Sequence, residues 1–329
     1  MKTKTETMIT GVRPTGGLTI ANYLGAVQPL LDIAPAGTAI FVADVHALTD
    51  HEPAVVAKYR MEIVKDYLAL GVDPERFYIY LQSAISAETT LCASYLSRLV
   101  SVAELLRVPT LKDRLKATAA PETANAALLQ YPVLMAADIF LQDASIVPVG
   151  QDQVAHLEMA RDLARRFNKR YGNGNVLKEP RPSQVDTLRI GSLKGEGKMS
   201  KSNPEGAIFL TDTPEEIRKK VKSATTAMPG ARTPELENLI LIATLLTKKG
   251  TPERKSIAIL LAQHDRGEKV MGEFKVMLAE ILVKFVSGFQ DRRRACSDSQ
   301  VRKILDAGSE KAKENARRIL LKMEAAMEF

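Results

Sequence analysis

Residues 38–45, Thr-Ala-Ile-Phe-Val-Ala-Asp-Val, form a nearly continuous apolar run. A strand apolar on both faces must be covered on both, which places it inside a parallel sheet flanked by helices. That requirement selects an α/β architecture. Similar short runs at 8–11, 77–82, 146–149 and 187–190 read as further strands. The stretches between them read as helices. After Pro53, for example, Val56, Tyr59, Ile63, Tyr67 and Leu70 recur at helical spacing until Gly71 stops them. Residues 172–182, rich in glycine, asparagine and proline, read as a linker between domains. Beyond it strand signals cease. Helices are expected at 214–223, 236–246, 251–263 and 269–286, and a last apolar stripe runs through Ala312, Ala316, Ile319, Leu320, Met323 and Met327.

A chain of 329 residues has room for two domains. No apolar run approaches the length of a membrane span, and the polar residues 1–7 are not expected to act as a secretory signal. Cys92 and Cys296 are too far apart in sequence for a disulfide framework, and the four histidines, His46, His51, His156 and His264, are scattered. A reducing, cytoplasmic setting without a zinc site is therefore expected. The net charge of +7 has the sign that suits a polyanionic partner.

Two loops carry the chemistry. In Gly197-Lys198-Met199-Ser200-Lys201-Ser202-Asn203, two ammonium groups and interleaved hydroxyls can converge on one anion, and a triphosphate fits that donor set. The flanking glycines and Pro204 suggest a mobile surface loop. Near the N-terminus a strand feeds the Gly/Pro-rich residues 11–17 and then a helix, as at phosphate sites in α/β sheets. Asp138 is a lone carboxylate in the apolar stretch 131–141, where Pro132 reads as a first helical residue. Tyr131, Met135 and Asp138 then share one face. A buried carboxylate needs a partner, either the protein's own backbone or a ligand donor. His46 follows the end of the central strand, where such sheets bind ligands. Asp152, in the turn Gly150-Gln151-Asp152-Gln153, is placed to cap the next helix. That helix ends among Arg161, Arg165, Arg166, Lys169 and Arg170, of which some complement the helix dipole and others are candidates to face RNA.

Lys198-Met199-Ser200-Lys201-Ser202 resembles the second signature of class I aminoacyl-tRNA synthetases. Thr19-Ile20-Ala21-Asn22 resembles the first, in the form used by tryptophanyl-tRNA synthetases. Ala21 stands where glycine is usual, and Arg13 where a neutral polar residue is frequent. The segment around Asp138 resembles the helix whose aspartate accepts the indole N–H. The resemblance implies a Rossmann-like α/β parallel-sheet nucleotide-binding domain over 1–190, completed by a terminal helix at 298–329. It also implies a lysine loop at 191–206 and an all-helical, anticodon-binding domain at 207–290.

The implied reaction is activation of L-tryptophan by ATP, followed by transfer to the 3′-terminal adenosine of tRNA(Trp). Implied catalytic groups are Lys198, Lys201, Arg13 and Arg114. ATP would meet Arg13, Thr15, Thr19, Asn22, Gly150 and Asp152, together with Lys198, Met199, Ser200, Lys201 and Ser202. Tryptophan would meet Ile9, His46, Tyr131, Met135, Asp138, Val147, Val149 and Gln153. ATP would arrive with Mg²⁺, with no tightly bound cofactor and no resident metal. The implied assembly is a cytoplasmic homodimer that needs no membrane. Two alternatives stay open: a tyrosyl-tRNA synthetase-like enzyme, against which the Asp138 segment speaks, and a non-catalytic paralogue that binds RNA or tryptophan.

Overall fold

The computed structural model describes residues 6–109, 111–112, 125–150, 153–172, 175–183, 188–195 and 197–329. In chain order the strands are β1 (Ile9–Val12), β2 (Thr38–Val42), β3 (Phe77–Leu81), β4 (Ile146–Val147) and β5 (Arg181–Pro182). The helices are α1 (Ile20–Asn22), α2 (Gln28–Ile33), α3 (Asp44–Ala47), α4 (Pro53–Ala69), α5 (Ser86–Ser97), α6 (Val102–Leu105), α7 (Ala126–Leu141) and α8 (Val154–Tyr171). After these come α9 (Pro214–Lys222), α10 (Pro234–Leu245), α11 (Pro252–Asp265), α12 (Met271–Ala295) and α13 (Asp298–Met327).

β2 pairs in parallel with β1 and β3, with Ile9 opposite Ala39 and Ile40 opposite Ile79. β4 pairs in parallel with β5, and a parallel bridge from Met8 to Ile146 joins the two sets. The strand order is therefore 3-2-1-4-5, that of a doubly wound nucleotide-binding sheet, whose order reverses between β1 and β4. Every residue of β2 is buried, as a central strand requires. Its alternate side chains feed two cores. Ile40 and Val42 pack with α2, α4 and the helical part of the chain, and Ala39 and Phe41 pack with α5, α7, α8 and α13. The first core runs on into Leu236, Phe274, Leu282 and Phe289, so the helical part shares one apolar interior with the sheet.

Four readings of the sequence change. Pro132 does not start a helix but lies inside α7, which begins earlier because Asn125 caps it by accepting from the Leu128 amide at 2.9 Å. Burial of Pro132 with its neighbours Tyr131 and Val133, and of the helix from Ala136 to Leu141, holds it together around the missing N–H. The described residues of 172–182 are not a free linker. Arg181 donates its amide to the Ser145 carbonyl at 2.9 Å, Asn168 binds the amides of Val176 and Leu177, and Arg181–Pro182 extends the sheet. The strand expected at 187–190 begins outside the described residues, and 188–190 is not a strand. Ile190 instead accepts from the Met199 amide at 3.0 Å in a short antiparallel pairing. Finally, β2 stops at Val42, since Asp44 opens a helical turn.

α13 packs across β3, and Gly308 permits the approach. A Cβ at that position would stand 2.0 Å from the Ile79 carbonyl oxygen, so backbone rather than a flexible side chain blocks it. Gly308→Ala is expected to destabilise the fold by about 2 kcal/mol, the usual scale of overpacking. Chemical denaturation with circular dichroism reads this directly, and an unchanged midpoint would mean that α13 sits farther from β3.

Candidate functional site

A cavity of about 310 Å³ opens at the carboxyl ends of β1 and β4, the point where the strand order reverses. β1 and its following loop supply Ile9, Thr10, Gly11 and Arg13; β2, α3 and the residues flanking α3 supply Phe41, Ala43, His46 and Thr49. α7 supplies Tyr131, Met135 and Ile139, and β4 with the residues that follow it supplies Val147, Pro148, Val149, Gly150 and Gln153. A Cβ on Gly11 would stand 2.5 Å from the Phe41 ring, so any side chain there would displace that ring in the cavity wall. The walls are largely apolar and suit a hydrophobic guest.

Asp138 is not part of the cavity lining. It is 1% exposed and lies behind the wall. Its Oδ2 accepts from Gln82 Nε2 at 2.7 Å and sits 3.0 Å from His46 Nε2. Its Oδ1 has no hydrogen-bond partner among the described residues. Burial pushes this carboxyl above the usual carboxylate range, and His46 and Gln82 pull the other way. On the same face of α7, two turns earlier, Tyr131 bonds through its hydroxyl to Nε2 of the buried His156 on α8, which fixes the ring in the cavity wall.

The two signature loops meet beside this cavity. Leu210 donates its amide to Leu18 and Ile20 to Ile208, at 2.9 Å each. Lys201 Nζ donates to the Gly16 carbonyl at 2.9 Å. Burial holds the Lys201 ammonium below the usual lysine range, opposed by the nearby Asp66 carboxylate. Lys198 and Ser202 are exposed, and the Ser200 and Ser202 hydroxyls are 3.0 Å apart. The loop is more anchored than its glycines suggest: Met199 is only 6% exposed and its side chain joins the first core. Thr19 and Asn22 form a capping box at the start of α1, so each already has a partner. Thr15 is half-buried in the turn that its amide makes to Arg13. The Arg13 guanidinium pairs with Asp50 and lies 3.2 Å from His51 Nδ1.

The structure thus gathers Ile9, His46, Tyr131, Met135, Val147, Val149, Gln153, Gly150 and Arg13 around one cavity, with Asp138 behind it. Arg114 and Asp152 lie outside the described residues. Phe41, Gln82 and His156 carried no sequence signal of their own. The arginines at the end of α8 are not all free for RNA: Arg161 pairs with Glu158, Arg165 with Glu179, and Arg166 with Glu104. Among the described residues, no group of three His, Cys, Asp or Glu side chains could hold a metal ion. Nor is any helix long and apolar enough to cross a membrane.

The family model for tRNA synthetases class I (W and Y) matches residues 1–287. The tryptophan–tRNA ligase of Bacillus subtilis is 36% identical over 335 residues, covering 98% of this chain and 97% of the relative. That of Helicobacter pylori is 34% identical and covers 97% and 98%. Among solved structures, tryptophanyl-tRNA synthetase from Mycoplasma pneumoniae superposes with a TM-score of 0.82 at 32% identity, covering 98% of each chain. The Campylobacter jejuni tryptophanyl-tRNA synthetase, complexed with ADP and tryptophan, gives 0.82 at 28% identity, covering 98% of this chain and all of that one.

Proposed function

The chain belongs to the class I tRNA synthetases of the W and Y group, and we propose that within this family it activates L-tryptophan with ATP and transfers it to tRNA(Trp). The observation that carries the reading is the Lys201 ammonium on the Gly16 carbonyl. It joins the second signature to the first, beside the cavity that Gly11 and Arg13 of the same loop line.

In this reading the indole fills the apolar cavity and its N–H reaches Asp138 Oδ1, while Tyr131 and Gln153 take the amino group. The tryptophan carboxylate attacks the α-phosphorus of ATP. The bond to the bridging oxygen breaks, and pyrophosphate leaves. The attacking group is already an anion, so no protein base is needed and the work is positioning and charge stabilisation. Mg²⁺ would come with ATP as part of the substrate and offset part of the triphosphate's negative charge. Lys198 and Lys201 hold the departing pyrophosphate, with Ser200, Ser202, Thr15 and Gly150 as neighbouring contacts. Arg13 reaches the triphosphate by exchanging its Asp50 partner for phosphate. Arg114 and Asp152 keep their assigned roles toward the triphosphate and the ribose. The exposed Lys219, Lys222, Lys248, Lys249 and Lys269 of the helical part face the anticodon arm. The working form is a cytoplasmic homodimer, which sedimentation of the purified chain tests.

Pyrophosphate exchange tests the activity. Tryptophan should support it with kcat/KM at least ~100-fold above tyrosine, the scale on which a mismatched polar group is rejected. Equal rates with tyrosine, or none with either, would end the proposal.

A further inference from the structure

Gln82 has no role in the reading above, yet it is 1% exposed and sits at the end of β3, hydrogen-bonded to Asp138. Its orientation is set. The His46 amide donates to Gln82 Oε1 at 3.0 Å, which turns Nε2 toward Asp138. Gln82 Nε2 and His46 Nε2 then converge on the same carboxylate oxygen, Oδ2, at 2.7 and 3.0 Å. Against an ionised carboxylate, which only accepts, the His46 nitrogen carries the proton. Oδ2 is thereby saturated and Oδ1 is left open. The scaffold is tied as well: Asp44 accepts from the Ser83 amide at 2.9 Å and its hydroxyl at 2.6 Å, locking the start of α3 to the end of β3.

A buried acceptor without a partner costs stability, and such atoms are rare unless something fills them. An isolated carboxylate could rotate and offer either oxygen to a donor. We propose that Gln82 is a positioning residue that determines specificity: it pins the Asp138 carboxylate so that a single acceptor, Oδ1, is presented to a flat aromatic ligand with one N–H donor. Gln82 does not touch the ligand; it acts through Asp138. The inference rests on the reading of Asp138 as the indole acceptor.

The test uses the full-length chain and two ligands, tryptophan and β-(3-benzothienyl)alanine, in which sulfur replaces the N–H at nearly the same shape. Pyrophosphate exchange gives kcat/KM for each. Gln82→Met keeps length and bulk and removes both hydrogen bonds. It is expected to lower the preference for tryptophan over the analogue about tenfold, the worth of one well-placed buried hydrogen bond. The change should enter through KM for tryptophan, with KM for ATP and the analogue's kinetics nearly unchanged. Gln82→Asn, which withdraws the amide by one methylene, should shift the preference in the same direction and serves if the methionine variant folds poorly. Equal losses for both ligands would make Gln82 merely structural and overturn the inference. An unchanged preference in both variants, while Asp138→Asn abolishes it, would overturn the inference and leave the acceptor reading intact. If Asp138→Asn itself leaves the preference unchanged, the acceptor reading fails and the inference with it.

Discussion

Lys201→Met is expected to lower kcat for adenylate formation about 10²–10³-fold, some 3–4 kcal/mol, as when a preorganised charge donor is removed from a transition state. Tryptophan affinity should change little. The physical reason is differential binding: the ammonium gains most as negative charge builds on departing pyrophosphate, not in the ground state. Lys198→Ala should cost less, because Lys198 is exposed and its charge is screened by water, whereas Lys201 is half-buried between the loops. Single-turnover kinetics separate the two steps. A variant that binds tryptophan poorly yet completes the chemistry at the normal rate would put Lys201 in the wrong role. The depressed pKa adds a pH signature. A lysine carries its charge below its pKa, so a lowered pKa means that the charge is lost at lower pH than in free lysine. The alkaline limb of kcat should therefore fall early. Lys201→Arg should push that limb upward, since a guanidinium stays protonated.

Asp138→Asn should cost about 2–4 kcal/mol in kcat/KM for tryptophan and leave ATP binding intact. The network decides which way the new amide points. Gln82 Nε2 and His46 Nε2 both approach the Oδ2 side, so the asparagine must turn its oxygen toward them. Its NH₂ then occupies the Oδ1 position and meets the indole N–H donor to donor. Binding can be followed without a label. The chain contains no tryptophan, so indole fluorescence excited where tyrosine is silent comes from the ligand alone. Wild-type kinetics and unchanged ligand fluorescence in the variant would mean that Asp138 serves the fold only.

Part of this was legible along the chain. The run through Thr38–Val42 demanded a parallel sheet because no other environment covers both faces of such a strand. The apolar stripe from Ala312 to Met323 required a buried helix. Chemical type also reads locally: two lysines with interleaved hydroxyls, or one carboxylate in an apolar helix, show which donors and acceptors they offer before their neighbours are known. Pro132 and residues 172–182 misled for one reason. Proline and glycine report local backbone preference, and burial or a distant strand edge outweighed that preference in both places.

Relations between distant segments were decided by the tertiary structure alone. Nothing in sequence joins Lys201 to Gly16, Gln82 to Asp138 or Tyr131 to His156, because a hydrogen bond across 185, 56 or 25 residues depends on where the sheet places each strand end. The approach of α13 to β3 at Gly308 is of the same kind, since a helical glycine has no local signal for the backbone it will meet. The residues themselves determined the sheet, the helices and the donor and acceptor types. Which Asp138 oxygen stays open, and what Lys201 touches before substrate arrives, were set by packing, because both depend on atoms that only the folded chain brings within hydrogen-bond reach.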